Sequence, residues 1–437
     1  VCYCKTVSLQ QIFSYMKKYI NRIQDDVLLN LLSSSGAVLI EGPKWCGKTW
    51  LGRHSSKSEI DLQDPDKGAG YRKMAEVMPS HLLKGNKPLL IDEWQDAPSI
   101  WDAVRYSIDK EGLRGQYILT GSATPRDFGV DGPRHTGTGR ISRMRLRTMS
   151  LFESGESNGT VSLAELFKGN TDIVADSNLD IPQIARAICR GGWPETIAEG
   201  DNSNNVSMNY VDAVINHDIQ STDSIDRNPL RVRHLLRSYA RNISTFASLQ
   251  TVLDDIRAHD TTFGESSLYS YANALRRMFI IEDTPAWRPS LRSKTAIRTS
   301  DKRQFVDPSI ATAVMNVDAD GILNDFELFG FLFESLVTRD LRIYSQPIRG
   351  EILHYHDKTG LEADLIIRLQ DGKWAAVEVK LGSREIDDGA KHLLQIAERV
   401  DTTRIGSPSF LMVVAGGKFA YKREDGVLVI PLGCLRP

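Results

Sequence analysis

Gly36-Ala37-Val38-Leu39-Ile40-Glu41-Gly42-Pro43-Lys44-Trp45-Cys46-Gly47-Lys48-Thr49 decides the fold of the first third of this sequence. Residues 37–40 are continuously apolar, as a strand buried on both faces requires. The loop that follows has the spacing G-x-x-x-x-G-K-T and runs into helix-compatible residues. Strand, loop and helix in that order aim backbone N–H groups and a helix N-terminus at one point, where unpaired donors and the helix dipole favour a phosphate. Gly42, Pro43, Lys44, Trp45, Cys46 and Gly47 are expected to wrap the phosphates of ATP. Lys48 would reach the β- and γ-phosphates and Thr49 would ligate magnesium.

Working outward, Pro88-Leu89-Leu90-Ile91-Asp92-Glu93 is an apolar strand ending in two acids. Asp92 is placed to hold magnesium through water and Glu93 to polarise an attacking water; two acids at a solvated strand end are the plainer alternative. Gln116-Tyr117-Ile118-Leu119-Thr120-Gly121-Ser122 is a third apolar strand, ending in hydroxyls where a parallel sheet delivers its carboxyl ends to a ligand. Thr120 or Ser122 is the candidate sensor of the γ-phosphate, although Ser and Thr end many ordinary strands. Residues 131–145 are glycine-rich and then basic. Arg140 or Arg143 is a candidate arginine finger, which would be worth ~10³–10⁵ in turnover, against the alternative of a solvated basic strand.

The chain has 437 residues, 41% of them hydrophobic and 25% charged, which fits a globular protein of two to four domains and excludes a disordered one. No apolar run approaches the ~18 residues that cross a bilayer, and Val1-Cys2-Tyr3-Cys4-Lys5 lacks the marks of a secretory signal, so a cytoplasmic protein without a membrane partner is expected. Residues 1–15, ahead of Met16, read as an upstream extension or a misassigned start. Cysteines at 2, 4, 46, 189 and 434 show no paired metal spacing, so reduced thiols are expected. A net charge of −2 gives no global attraction to nucleic acid.

Residues 154–180 are rich in Ser, Gly, Asn and Asp and read as a surface connection. From Leu230 to Ile281 the apolar spacing is helical, and several short helices followed by a strand fit a winged-helix unit. Arg276 to Arg303 holds eight Lys or Arg against three acids, with Trp287 among them. Such a stretch could track a DNA backbone, or be only a solvated face. Further on, Glu362-Ala363-Asp364-Leu365-Ile366-Ile367-Arg368-Leu369 and Trp374-Ala375-Ala376-Val377-Glu378-Val379-Lys380 form two strands around an Asp371-Gly372 turn. Glu378 and Lys380 share one strand face, and a hairpin brings Asp364 beside them. This is the D…ExK arrangement of restriction-type nucleases, in which Asp364 and Glu378 hold a divalent metal and Lys380 stabilises developing charge. Glu334, on a helical stretch, takes the place of the helix acid. The alternative is a structural salt-bridge cluster. His354 and His356 are read as exposed rather than as metal ligands.

Taken together, the Gly42-to-Thr49 loop, Leu90-Ile91-Asp92-Glu93-Trp94-Gln95, Ile118-Leu119-Thr120-Gly121-Ser122-Ala123, Gly139-Arg140, Met149-Ser150-Leu151-Phe152-Glu153, Gly191-Gly192-Trp193-Pro194-Glu195, Pro285-Ala286-Trp287, Phe305-Val306-Asp307-Pro308 and residues 425–432 resemble one group. These are uncharacterised prokaryotic AAA-type ATPases with a C-terminal restriction-endonuclease-like domain of unknown function. The resemblance runs from about Tyr19 to Leu435 and implies an α/β protein that binds ATP with Mg²⁺. The expected domains are an N-terminal extension (1–18), an AAA-type P-loop ATPase domain (19–165), a helical linker region (166–229), a winged-helix-like domain (230–315) and a restriction-endonuclease-like α/β domain (316–437). The expected activity is slow ATP hydrolysis coupled to a C-terminal half that docks to or acts on a macromolecule. An ATP-regulated DNA endonuclease and a non-hydrolytic switch or scaffold for protein docking are the alternatives. A DNA or protein partner and a homo-oligomer are left open.

Overall fold

Along β1 (Ala37–Glu41), Val38 and Ile40 face one side of the sheet and Ala37 and Leu39 the other, and both sides are covered. The computed structural model describes residues 19–121, 135–200, 203–221, 225–289 and 297–437. With β2 (Ser58–Asp61), β3 (Leu89–Asp92), β4 (Tyr117–Gly121) and β5 (Ile141–Arg145), β1 makes a parallel sheet of order β2-β3-β4-β1-β5. Leu28, Leu32 and Leu51, from the helices Gln24–Ser34 and Lys48–Ser55, cover Val38, Ile40, Leu90 and Ile118. Trp101, Val104 and Ile108, from the helix Ser99–Glu111, cover Leu39, Ile91 and Leu119. Because β4 lies between β1 and β3, the carboxyl ends of all three strands meet at one edge, below the loop that leaves β1.

The next region is helical. Ile181–Arg190 starts in a capping box between Asp180 and Gln183. Three helices, Pro229–Arg241, Leu249–Arg257 and Glu265–Arg277, precede two short antiparallel bridges, Ile281 with Phe305 and Thr284 with Lys302. Trp287, which fits neither a phosphate backbone nor a solvated face, is buried against Trp374, with ring centroids 4.7 Å apart. Two cations of the basic stretch share one buried acid: Arg276 and Arg303 both bond Asp283, at 2.9 and 2.8 Å.

The remaining strands are β6 (Val161–Ser162), β7 (Val174–Asp176), β8 (Gly350–His356), β9 (Glu362–Leu369), β10 (Trp374–Lys380), β11 (Leu411–Ala415), β12 (Phe419–Lys422), β13 (Leu428–Pro431) and β14 (Leu435–Arg436). Seven form a mixed sheet of order β7-β12-β13-β11-β10-β9-β8, and β6 pairs with β14. The helix Phe326–Ser345 packs one face of this sheet and Ile386–Arg399 the other. Residues 154–180 are therefore more than a surface connection. Leu163, Leu166 and Phe167 are buried, and β7 extends the C-terminal sheet from within the stretch expected as a helical linker. The polar residues around these short elements masked their apolar positions.

A buried polar junction fastens the three regions together. Asp307 Oδ2 accepts hydrogen bonds from the Thr148 hydroxyl (2.7 Å), the Gly192 N–H (3.0 Å) and the Arg339 guanidinium (3.1 Å). Arg339 also donates to Asp340 at 2.9 Å, and Asp340 accepts the Leu151 N–H at 3.0 Å. Removing one partner from a buried charge cluster leaves the others uncompensated. Arg339→Met should therefore cost about 3–5 kcal/mol, read as a lowered urea midpoint in equilibrium unfolding; an unchanged midpoint would show that the junction does not hold the fold.

Candidate functional site

The loop after β1 is shaped by two glycines. A Cβ on Gly42 would lie 2.1 Å from the Leu146 carbonyl oxygen, and Gly47 sits in the left-handed region at φ 97°. The second conformation starts the helix Lys48–Ser55 with its N-terminus facing the loop. Lys48 is buried, and its ammonium donates to the carbonyls of Gly42 and Pro43 at 3.0 and 2.9 Å, across the concave side of the loop. Cys46 is a buried free thiol pushed up by burial; among the described residues Cys189 and Cys434 are free as well.

Strand order brings the acids to this loop. The Thr49 hydroxyl donates to Asp92 Oδ1 at 3.0 Å, and the Thr120 hydroxyl donates to the same oxygen. Glu93, one residue beyond β3, has a left-handed backbone at φ 55°, its N–H donates to Thr120 Oγ1 at 3.3 Å, and its carboxylate accepts the Gln95 amide. A non-glycine residue held there costs ~1–3 kcal/mol and marks a position fixed by its surroundings. Burial, reinforced by the Glu93 charge, raises the Asp92 carboxyl above its ordinary range, against the two threonine hydroxyls that pull it down. A hydroxyl and a carboxylate oxygen are hard donors of the kind magnesium takes. Thr49 and Asp92 thus fit the metal, and Lys48 and the loop fit the phosphates. Glu59 and Asp61 also lie close enough to Asp92 to form a three-carboxylate group, which sequence reasoning missed because they belong to a separate strand; Arg53 ion-pairs with Glu59 and Asp61, at 2.6 and 3.4 Å. Ser122 lies outside the described residues.

Of the two candidate fingers, Arg140 lies elsewhere and Arg143 is held by the residue that precedes the loop. Arg140 precedes β5, whose first residue pairs with Ala37 at the amino end of β1. It is therefore separated from the loop by a strand of five residues, about 16 Å at ~3.3 Å per residue. Its partner is Asp109 at 2.6 Å, and its side chain is 49% exposed. Arg143 bonds Glu41 at 2.9 Å.

What does reach the loop comes from outside the ATP-binding sheet. Buried Arg22 donates to the Cys46 carbonyl (3.0 Å), to the Arg147 and Thr148 carbonyls (2.9 and 3.2 Å) and to Glu153 (2.8 Å). From the helical region, Asp218 bonds Lys44 at 2.7 Å and Tyr210 packs on Trp45, ring centroids 5.5 Å apart. No motif announces these residues.

The second constellation assembles as the hairpin register dictates. Val377 pairs with Leu365 across β9 and β10, which sets Asp364, Glu378 and Lys380 together, and the helix Phe326–Ser345 brings Glu334. Lys380 bonds Glu378 at 2.9 Å, and Asp364 Oδ2 accepts the Val379 N–H at 2.9 Å. An unforeseen residue sits among them: Lys302 Nζ lies 2.7 Å from Glu334 and 3.1 Å from Asp364. Burial works against its charge, but the two carboxylates outweigh it and hold the ammonium well above its ordinary range. Asp364 is likewise lowered, because Lys302 and Lys380 overcome its burial. Burial lifts Glu334 to about 8 against the pull of Lys302, and burial and Asp364 lift Glu378 well above the usual carboxylate range. His354 and His356 are not exposed; they are buried against Phe246, with His354 Nε2 2.9 Å from the Ser300 carbonyl oxygen.

Three family models match parts of the chain. Residues 34–154 match the family described as AAA domain, residues 181–321 a domain of unknown function (DUF8612), and residues 329–435 a domain of unknown function (DUF4143). The uncharacterized proteins Rv2008c of Mycobacterium tuberculosis and Mb2031c of Mycobacterium bovis are each 21% identical over 361 residues, covering 81% of this chain and 72% of theirs. Among solved structures, the Walker-type ATPase of Pyrococcus abyssi is similar at a TM-score of 0.42 and 15% identity, over 69% of this chain and 97% of that one. A DNA replication initiation factor is similar at 0.27 and 13%, over 58% and 87%. The match over residues 34–154 makes the N-terminal unit an AAA-like P-loop ATPase domain within a mixed α/β chain, which supports ATP binding. Among the described residues no helix is long and apolar enough to cross a membrane.

Two outcomes follow from this geometry. Lys48→Ala should lose measurable ATP affinity with its circular dichroism unchanged; nucleotide titration of the folded variant checks it. Burial, aided by the nearby Lys302 charge, lowers His354 to about 4 from an ordinary 6.5, so the unfolded chain binds the extra proton first. Stability should fall by roughly 3 kcal/mol as pH drops from 6.5 towards 4, and His354→Gln should flatten that slope in urea midpoints measured across the range.

Proposed function

We propose that this chain is a magnesium-dependent ATPase that passes its nucleotide state from the loop after β1 to the helical region and the C-terminal sheet, which dock a macromolecule. The observation that carries the reading is that the loop is gripped from two sides. On one side Thr49, Asp92 and Thr120 meet beside Lys48; on the other Lys44 bonds Asp218, and the Cys46 carbonyl accepts from Arg22. Magnesium, when bound, neutralises charge on the β- and γ-phosphates. Lys48 would exchange its two carbonyl partners for phosphate oxygens, Thr49 and Asp92 would hold the metal, and Glu93 would orient water. Shifts of the loop would then be felt by Asp218, Tyr210 and Arg22. In this reading the three helices between Pro229 and Arg277, with their bridged segments, form the winged-helix-like docking unit. Arg140 would act as a finger only by reaching the loop of a second copy.

A metal-dependent nuclease is a second reading, favoured by the convergence of Asp364, Glu378, Lys380 and Glu334 and weakened by Lys302 among them. Nicking of supercoiled plasmid with magnesium or manganese, lost in Asp364→Ala, would establish it.

The ATPase reading has its own test. Glu93→Gln should bind Mg-ATP as the parent does and hydrolyse it ~10²–10⁴-fold more slowly, whereas joint loss of binding and turnover would make Glu93 part of the metal's surroundings. Asp218→Asn should retain ATP binding but lose the ATP-induced change in hydrogen exchange over Asn205–Asn216; if that change persists, the loop signals by another route.

A further inference from the structure

The restriction-type arrangement calls for a divalent ion between Asp364 and its neighbouring acids, and the residues present do not fit one. Glu334 and Asp364 converge on a position already taken by the Lys302 ammonium, whose side chain is 2% exposed. The ring of Phe246 closes a further side, with its centroid 5.0 Å from Nζ. Both oxygens of Asp364 are already engaged, Oδ1 by Lys302 and Oδ2 by the Val379 N–H. Of Glu378, one oxygen bonds Lys380, while the other is buried in the cluster with no hydrogen-bond partner. Magnesium or manganese would need about six oxygen ligands, several of them waters, beside a positive charge that touches the same carboxylates.

Lys302 is also fixed from behind. Its backbone exchanges two hydrogen bonds of 2.9 Å with Thr284, and the next residue, Arg303, donates to Asp283 and, from its backbone, to the Thr245 carbonyl at 2.8 Å. The lysine therefore belongs to the bridged segment that follows the three helices, while the carboxylates belong to the C-terminal helix and sheet.

We propose that Lys302 is a built-in cation, delivered by the middle region, that fills the carboxylate site of the C-terminal domain, so that the site accepts a divalent metal only when that ammonium is removed. The proposal argues against the second reading above and is independent of ATP hydrolysis. Lys302 does for Glu334 and Asp364 what a metal does elsewhere: it offsets two carboxylates held close together in a buried place. In the intact protein the cluster is then charge-compensated and does not cleave.

The test is titration of the nucleotide-free, full-length protein with manganese chloride, followed by calorimetry and by the free-ion electron paramagnetic resonance signal. The parent and Asp364→Asn should bind the same number of ions, because the cluster binds none. Lys302→Met, or the milder Lys302→Gln, should take up one ion more than the parent does at the same manganese concentrations. Adding Asp364→Asn should abolish that gain. A parent ion that disappears in Asp364→Asn would overturn the proposal, as would folded Lys302→Met and Lys302→Gln proteins that gain no ion. If both lysine variants melt early, manganese should selectively raise their melting temperatures and leave that of the parent unchanged; failure of that rescue also overturns it.

Discussion

The carboxylate of Asp307 is the constraint on which the rest of the structure depends. It is wholly buried, and a buried ionised carboxylate is tolerated only when paired and hydrogen-bonded. Its partners come from three parts of the chain: Thr148 just past the ATP-binding sheet, Gly192 from the helical region, and Arg339 from the long helix under the C-terminal sheet. Its other oxygen caps the helix Pro308–Met315 through the Ser309 N–H at 2.9 Å. Satisfying one charge therefore fixes the relative placement of three units, a specification that apolar packing alone does not give.

The same economy governs the ATP site. Arg22 has no place in any phosphate-binding motif, yet it binds the Cys46 carbonyl inside the loop and, with the same guanidinium, the Arg147 and Thr148 carbonyls and Glu153. Thr148 in turn bonds Asp307. From loop to junction is thus a run of direct hydrogen bonds between groups that are mostly buried, where the low dielectric makes each one costly to leave unmade.

What the sequence made legible and what it did not divide along physical lines. The loop, the acid-ended strand and the Thr120 strand could be read because a phosphate site built on a parallel sheet needs contiguous residues at fixed spacing, and the hairpin carrying Asp364, Glu378 and Lys380 could be read from alternation. Lys302 could not. It lies 32 residues from Glu334 and 62 from Asp364, in a stretch whose many basic residues look like a solvated face. Trp287, His354 and His356 misled for a related reason: a polar or amphipathic residue type does not reveal that the surrounding fold will bury it. Arg140 was attractive by type, but only the register of β5 against β1 shows that it sits at the wrong end of the sheet.

The pairing of β6 with β14 and of β7 with β12 has a consequence during synthesis. The ATP-binding sheet uses strands that all leave the ribosome between residues 37 and 145, so it can close early. Ser157, by contrast, bonds the Leu435 carbonyl 278 residues further on. At ~5–20 residues per second, that partner arrives roughly 15–55 s later. Through that interval the apolar side chains of Val161, Leu163, Leu166 and Phe167 lack most of the core that finally covers them. The nascent chain then carries a closed nucleotide-binding module followed by an apolar edge whose sheet partners are still to be made.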